Sequence, residues 1–284
     1  MIKKIIFGVL ISLLSLSIQA DEKTYKMVFV PASEKGDEND YDSLISITEK
    51  LTGFNIETIK VTDYNAAVES MRAGRAHIAW YGGKTYVKAA EIANAVAFAA
   101  GVRPGEIDAG YYTYFVVKKD SKLKKFEDVK GKTLTLNTIG STSGDLIPQV
   151  ELSKINLSIK NKDHFKNVFY AGSHDACLLS VLNNQADVCG MSSRNFEARL
   201  EDETIKLEQV RIIHKSDRVP PPPLAYSKLI PKEDREKIKK AILEAHKHGV
   251  IGGYGGSMSH YMEVKDSDYN VLREVIELLN ENKS

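Results

Sequence analysis

Apolar segments of period two alternate with segments of period 3.6 along this chain, and the alternation runs through twice. "YKMVFVPA" reads as a strand, and "YDSLISITEKLTG" as a helix with Leu44, Ile47 and Leu51 on one face and Gly53 at its stop. The strand "NIETIKV", a helix from Asp63 ("DYNAAVESMRAGR"), the strand "AHIAWYG" and the helix "KTYVKAAEIANA" follow. After a β-rich stretch, "GYYTYFVVKKDS", the pattern restarts: strand 132–137, a helix opening at "STSG", strand 167–171, helix 174–184 and strand 187–191. A helix from Lys232 to His248 carries Ile238, Ala241, Ile242 and Ala245 as its apolar stripe, and a last helix covers about 268–281. Strand–helix repetition of this kind builds a parallel sheet covered on both faces, so the fold class is α/β.

Two such series in one chain imply two lobes. One passage between them is expected near Tyr114–Val117. The other is expected near Arg211–Tyr226, where Pro220 to Pro223 force an extended path. Residues 21–114 plus 213–284 then form lobe 1, and residues 115–212 form lobe 2. Two lobes joined by two strands leave a cleft, and ligands of open α/β sheets bind where strands end and helices begin.

Residues 1–20 are set apart from this pattern. Lys3 and Lys4 precede an apolar run from Ile5 to Leu16, and Ile18-Gln19-Ala20 offers a small residue before the polar "DEKTYK". This is the pattern of a secretory signal peptide cut near Ala20, and it predicts export. No cysteine follows the apolar run to carry a lipid, and no later stretch approaches the ~20 apolar residues of a membrane span. The remainder is long for one ordinary domain and comfortable for two. Its charges are nearly balanced, with 39 Lys and Arg against 38 Asp and Glu in the whole sequence. That excludes a basic nucleic-acid footprint, and any anion site must be local. Cys177 and Cys189 are the only cysteines, and an exported chain can oxidise them.

Three places bring a strand to a helix through small or hydroxyl residues. They are "LNTIGSTSG", "YAGSHDACLL" with Ser173 at the cap and His174 in the first turn, and "AWYGGKT" with Tyr81, Gly82 and Gly83. A helix N-terminus presents unpaired N–H groups and partial positive charge, so it attracts anions. Glycine admits a ligand to the backbone, and hydroxyls donate without carrying charge. Converging N-termini would form a neutral-walled oxyanion cage. Taken singly, each element is also an ordinary helix cap, a first-turn histidine or a strand-end tyrosine. The run Gly249–Gly256 reads as a flexible loop.

Other chemistries fail on spacing. "FEDVKGKT" and "IAWYGGKT" both end in GKT, but Phe126 and Ile78 stand where a P-loop needs its first glycine. The nucleophile elbow G-x-S-x-G is absent, because Thr142 sits at the centre of Gly140–Gly144. No ligand spacing supports a metal at His174 and the cysteines. No metal, no cofactor and no enzymatic activity are expected.

"IAWYGGKTYVKA", "GYYTYFVVKKDS", "FEDVKGKTLTLNTIGSTSGDLIP" and "AGSHDACLLSVLNNQADV" occur in this order. Together they resemble the phosphate/phosphite/phosphonate-binding periplasmic component of ABC transporters, over about residues 27–230. The resemblance implies the two-lobed class II periplasmic binding-protein fold with two hinge crossings. It implies a small oxyanion as ligand and a membrane permease as partner, or a sensor kinase if the chain signals rather than delivers. It implies no nucleic acid and a monomer. By the same resemblance Ser141, Thr142 and Ser143 would donate to the ligand oxygens, His174 would donate from the second helix mouth, and Tyr81 from the opposite lobe. Tyr41 falls where the family has another ligand-facing aromatic. Members that take aminophosphonates hold the ammonium group with carboxylates. Here "GMSSRNFEARL" offers Arg194, and "SDRVPPPPLA" offers prolines with Asp217 nearby. Arg194 would suit a second negative charge or a small inorganic oxyanion.

Overall fold

The computed structural model describes residues 23–32 and 40–281; the proposed signal peptide, residues 1–20, lies outside them. Lobe 1 begins with strand β1 (Thr24–Phe29), helix α1 (Asp42–Thr52), β2 (Asn55–Ile59), α2 (Tyr64–Arg72), β3 (Ile78–Trp80), α3 (Gly83–Ile92) and β4 (Ala95–Val102). Lobe 2 contains β5 (Thr113–Lys118), β6 (Thr133–Leu136), α4 (Ile147–Lys154), β7 (Asn167–Tyr170), α5 (His174–Leu182), β8 (Val188–Ser192), α6 (Ser193–Glu201) and β9 (Val210–Lys215). The chain then returns to lobe 1 as β10 (Leu224–Ser227), α7 (Lys232–Glu244), β11 (Ile251–Gly253), β12 (Gly256–Met258), β13 (His260–Glu263) and α8 (Asn270–Glu281).

The main sheets are mixed rather than purely parallel. The six-stranded sheet has the order β13-β4-β10-β3-β1-β2, and the five-stranded sheet β7-β6-β8-β5-β9. β1 runs parallel to β2 and β3, and β6 runs parallel to β7 and β8, as strand–helix repetition requires. β10 is antiparallel to both neighbours, and so is β5. These are the strands that arrive directly from the other lobe. With no helical crossover to turn the chain round, they enter their sheets reversed.

β5 already belongs to the second sheet at Thr113, so the first passage occupies residues 103–112, upstream of Tyr114–Val117. β9 belongs to it up to Lys215, so the return occupies residues 216–223. An antiparallel bridge joins the two passages: Tyr111 N donates to Val219 O at 3.2 Å, and Val219 N to Tyr111 O at 2.8 Å. The proline run stays extended and offers carbonyls to its surroundings. Pro221 O accepts from the Tyr269 hydroxyl, and Pro223 O from Tyr81 N.

Packing follows the sequence periods. On β5, Phe115 and Val117 join a cluster with Leu134, Leu136 and Leu152, while Val116 faces the opposite cluster with Cys177, Cys189, Met191 and Phe196. A disulfide joins Cys177 of α5 to Cys189 of β8, with Cα atoms 5.6 Å apart. The Gly249–Gly256 region forms the hairpin β11–β12 rather than a loop. Its glycines are required by close approach: a Cβ on Gly252 would lie 2.1 Å from the Asp40 carbonyl oxygen. Among the described residues no helix is long and apolar enough to cross a membrane.

Candidate ligand-binding cleft

At the carboxyl end of β6 the chain makes one wide turn, Thr142–Leu146, before α4 begins. Leu146 N reaches back five residues to Ser141 O at 3.1 Å, a π-type turn of the kind often found at functional sites. Ser141, Thr142 and Ser143 are all buried there. Ser141 Oγ accepts from Gly144 N at 3.1 Å and from Asn137 Nδ2 at 3.3 Å. Thr142 Oγ1 accepts from Lys84 N at 2.9 Å, across the cleft from the first turn of α3. Donors from the protein thus occupy lone pairs of the Ser141 and Thr142 hydroxyls, and the O–H groups of Thr142 and Ser143 are directed toward Tyr111.

His174 opens α5 behind its cap, Ser173, whose Oγ accepts from Ala176 N. The ring is 1% exposed and borders the cradle: a Cβ on Gly144 would meet its Cε1 at 2.9 Å and Ser141 Oγ at 3.0 Å. Burial lowers its pKa to about 3, so the imidazole is neutral at physiological pH. Its Nδ1 accepts from Ser192 N at 3.3 Å, at the end of β8. The ring proton is therefore assigned to Nε2, and His174 becomes a donor like the hydroxyls.

Tyr41 caps the wall on the lobe 1 side. Its hydroxyl accepts from Tyr254 N at 3.2 Å, and its ring lies 4.8 Å from Phe29 and 6.0 Å from Trp80. Tyr254, at the tip of the β11–β12 hairpin, packs 4.7 Å from Trp80 and 6.5 Å from Tyr111. Tyr111 is buried beside the hydroxyl cradle. Burial raises its pKa, while hydrogen bonds from Ser143 and Thr142 and the Arg194 charge act the other way. Tyr111 and Tyr254 escaped the sequence reading, since one lies in a crossing and the other in a glycine run. The aromatic residue between glycines in "GGYGG" was the available signal.

Two expected contacts are placed differently. The Tyr81 hydroxyl donates to Ala67 O at 3.3 Å, inside lobe 1, so it faces the core rather than the cleft; burial pushes its pKa up. Arg194 is 1% exposed, and its Nη2 donates to Ala109 O at 2.7 Å and Gly101 O at 3.1 Å. It also lies 3.7 Å from Glu106 Oε2. The guanidinium fastens α6 to lobe 1 and the first passage; burial lowers its pKa, with Glu106 opposing. Asp217, noted beside the prolines, pairs with Lys154 on the surface. The expected cage of helix N-termini is also modified. α3 spends its Lys84 amide on Thr142, and α5 spends its His174 amide on Ala32 O at 3.2 Å. Both contacts cross the cleft.

Further contacts hold the lobes together on each side. Lys84 pairs with Asp145, and Thr85 Oγ1 donates to Gly140 O at 2.9 Å. On the other side Arg103 pairs with Glu197 and Glu201 of α6, and the Tyr254 hydroxyl donates to Asn195 Oδ1. This is a closed cleft. Among the described residues no cluster of His, Cys, Asp and Glu is arranged to hold a metal.

Residues 27–269 match a family model described as the phosphonate periplasmic substrate-binding protein of ABC transporters. The phosphonates-binding periplasmic protein of Escherichia coli is 31% identical over 195 residues, covering 67% of this chain and 56% of that protein, a little over half its length. The phosphate-import protein PhnD of Mycolicibacterium smegmatis is 25% identical over 280 residues, covering 92% of this chain and 87% of that one. The structure of PhnD1 from Prochlorococcus marinus in complex with methylphosphonate superposes with a TM-score of 0.77 at 21% identity, covering 91% of this chain and 98% of that one. The chain belongs to the phosphonate periplasmic substrate-binding protein family of ABC transporters.

Proposed function

We propose that the protein is the solute-binding component of an ABC importer, and that it captures a phosphonate, phosphite, phosphate or similar tetrahedral oxyanion between its lobes. The observation that carries this reading is the common polarity of the cleft groups. Ser141 and Thr142 have lone pairs engaged by N–H donors, and His174 has its Nδ1 engaged by a backbone amide. Ser141 and His174 each have a proton left to give, while the Thr142 hydroxyl, like that of Ser143, points its proton at Tyr111 beside the cradle. A set of neutral donors with filled acceptors favours fully deprotonated oxygens and leaves protonated ones without a partner. As a neutral donor, His174 is suited to holding an anion rather than to taking a proton.

Two lobes, the first built on β1–β4 and β10–β13 and the second on β5–β9 (Thr113 to Lys215), close over the ligand about the Tyr111–Val219 bridge. Tyr111, with the Tyr41–Trp80–Tyr254 wall, excludes water from the bound anion. Arg194 adds a buried positive charge near this wall, which opposes an ammonium-bearing substituent and leaves small anionic ligands favoured. The chain is exported through cleavage near Ala20, acts in the periplasm as a monomer, and delivers its ligand to a membrane permease.

Calorimetric titration of the purified mature protein with methylphosphonate, phosphite, phosphate and 2-aminoethylphosphonate tests the reading. Saturable binding of at least one of the first three, with 2-aminoethylphosphonate weaker, is expected. Failure of all four to bind would overturn it.

A further inference from the structure

The Cys177–Cys189 disulfide lies directly beneath the histidine of the cradle. Cys177 is three residues after His174 on α5, one helical turn below it. Cys189 is three residues before Ser192 on β8, the strand whose last amide donates to His174 Nδ1. The covalent link and the hydrogen bond therefore join the same helix to the same strand, one above the other. At 3.3 Å the hydrogen bond is at the long end of the useful range, so a slide of α5 by a few tenths of an ångström weakens it. The ring has little other freedom, with Gly144 so near one edge that a Cβ there would meet Cε1 at 2.9 Å.

We infer that the Cys177–Cys189 disulfide is a positioning element of the anion site, which holds α5 against β8 so that Ser192 N keeps His174 in the tautomer that donates from Nε2. The inference rests on the proposed oxyanion function. Stabilisation of the fold by closing a short loop is the ordinary contribution of such a bond. The geometry adds a second consequence, because the strand and helix it fixes are the two that orient the ring. Without the link the two elements remain packed through Leu178, Val181 and Met191. The fold survives while the ring loses its register.

The test is a double-mutant cycle read by titration with methylphosphonate, phosphite and inorganic phosphate. Its corners are wild type, His174→Ala, Cys177→Ala with Cys189→Ala, and the triple variant, each measured well below its melting temperature. Removing the disulfide from wild type is expected to weaken binding about 5- to 30-fold, which is on the order of 1–2 kcal/mol. In the His174→Ala background the same removal should change affinity less than twofold. Nitrogen-15 shifts of the His174 ring should move from a single Nε2–H tautomer towards a mixture. A second pair, Cys177→Val with Cys189→Ala, refills the volume and guards against collapse of the core. Equal losses in both backgrounds, or unchanged affinity and ring shifts in a folded variant, would leave the bond a fold staple only and overturn the inference. If wild type binds none of the three anions, the functional reading fails; the ring-shift measurement still decides the positioning role.

Discussion

The main-chain amide of Lys84 in lobe 1 donates to the side-chain hydroxyl of Thr142 in lobe 2, at 2.9 Å. One hydroxyl thereby serves two purposes: it accepts a closing contact from the opposite lobe, and its proton is directed away from that donor. Replacing Thr142 by Val and Ser143 by Ala removes both hydroxyls while nearly keeping shape. Each hydrogen bond to a charged group contributes roughly 1.5–3 kcal/mol, so affinity for the bound anion should fall on the order of 100-fold or more. If the hydroxyls served the turn alone, the double variant would lose about 1 kcal/mol of stability and keep its affinity. Titration calorimetry beside thermal unfolding separates these outcomes.

Arg194 connects three separate parts of the chain: α6, the Gly101 carbonyl on β4 and the Ala109 carbonyl in the first passage. Arg194→Met keeps much of the side-chain volume and removes all its donors. A buried carbonyl (Ala109) and a half-buried one (Gly101) then lose a partner, so unfolding free energy should drop by about 2–5 kcal/mol. Urea unfolding measures this. A variant of wild-type stability that binds the anion far more weakly would return Arg194 to the ligand.

The strand and helix order, the two lobes and the STSG and His174 stretches were legible in the sequence because each depends on local pattern. Alternation fixes which residues of β5 face which of its two clusters, and the hydroxyls with their flanking glycines mark the mouth of a helix. The reversed entry of β5 and β10 was not legible, since strand direction depends on which lobe the chain arrives from. The partners of Tyr81 and Arg194 were hidden for a related reason. Sequence neighbours place both residues at the cleft, but a hydroxyl or guanidinium turns toward whichever carbonyl is in reach, here Ala67 for the first and Gly101 and Ala109 for the second. Those partners are far away in the chain or on another element. Tyr254 was hidden by its glycines, which permit a tight hairpin rather than signal mobility.

His174 sets a pH dependence of stability. Its folded pKa is lowered to about 3 by burial, whereas in the unfolded chain it titrates near the ordinary value of about 6.5. As pH falls, the unfolded state takes up the proton first. The contribution is therefore full above about pH 6.5 and is lost progressively as pH drops toward 3. Between pH 7 and pH 5 wild type should lose about 2 kcal/mol more than His174→Gln does. Denaturant unfolding at both pH values checks the difference. Equal losses in the two proteins would show that the ring titrates alike when folded and unfolded.

Lys84 also carries the ammonium end of the closing contact, paired with Asp145. Asp145 is buried, and it accepts as well from the Tyr170 hydroxyl at 2.7 Å, Gln149 Nε2 at 2.7 Å and Gly140 N at 3.3 Å. Those three partners all belong to lobe 2, so they persist when the lobes part; Lys84 alone among these four is lost on opening. Lys84→Met should therefore leave lobe 2 folded and shift the equilibrium toward the open form. Apparent affinity scales with the closed fraction, and loss of about 1.4 kcal/mol from closure weakens binding about tenfold. Small-angle scattering without ligand should show a larger radius of gyration for the variant than for wild type. With saturating anion the two radii should converge, because the hydroxyl cradle and the Lys84 amide are intact. A variant that matches wild type in both radius and affinity would mean that the pair forms only after the lobes have closed and does nothing to hold them.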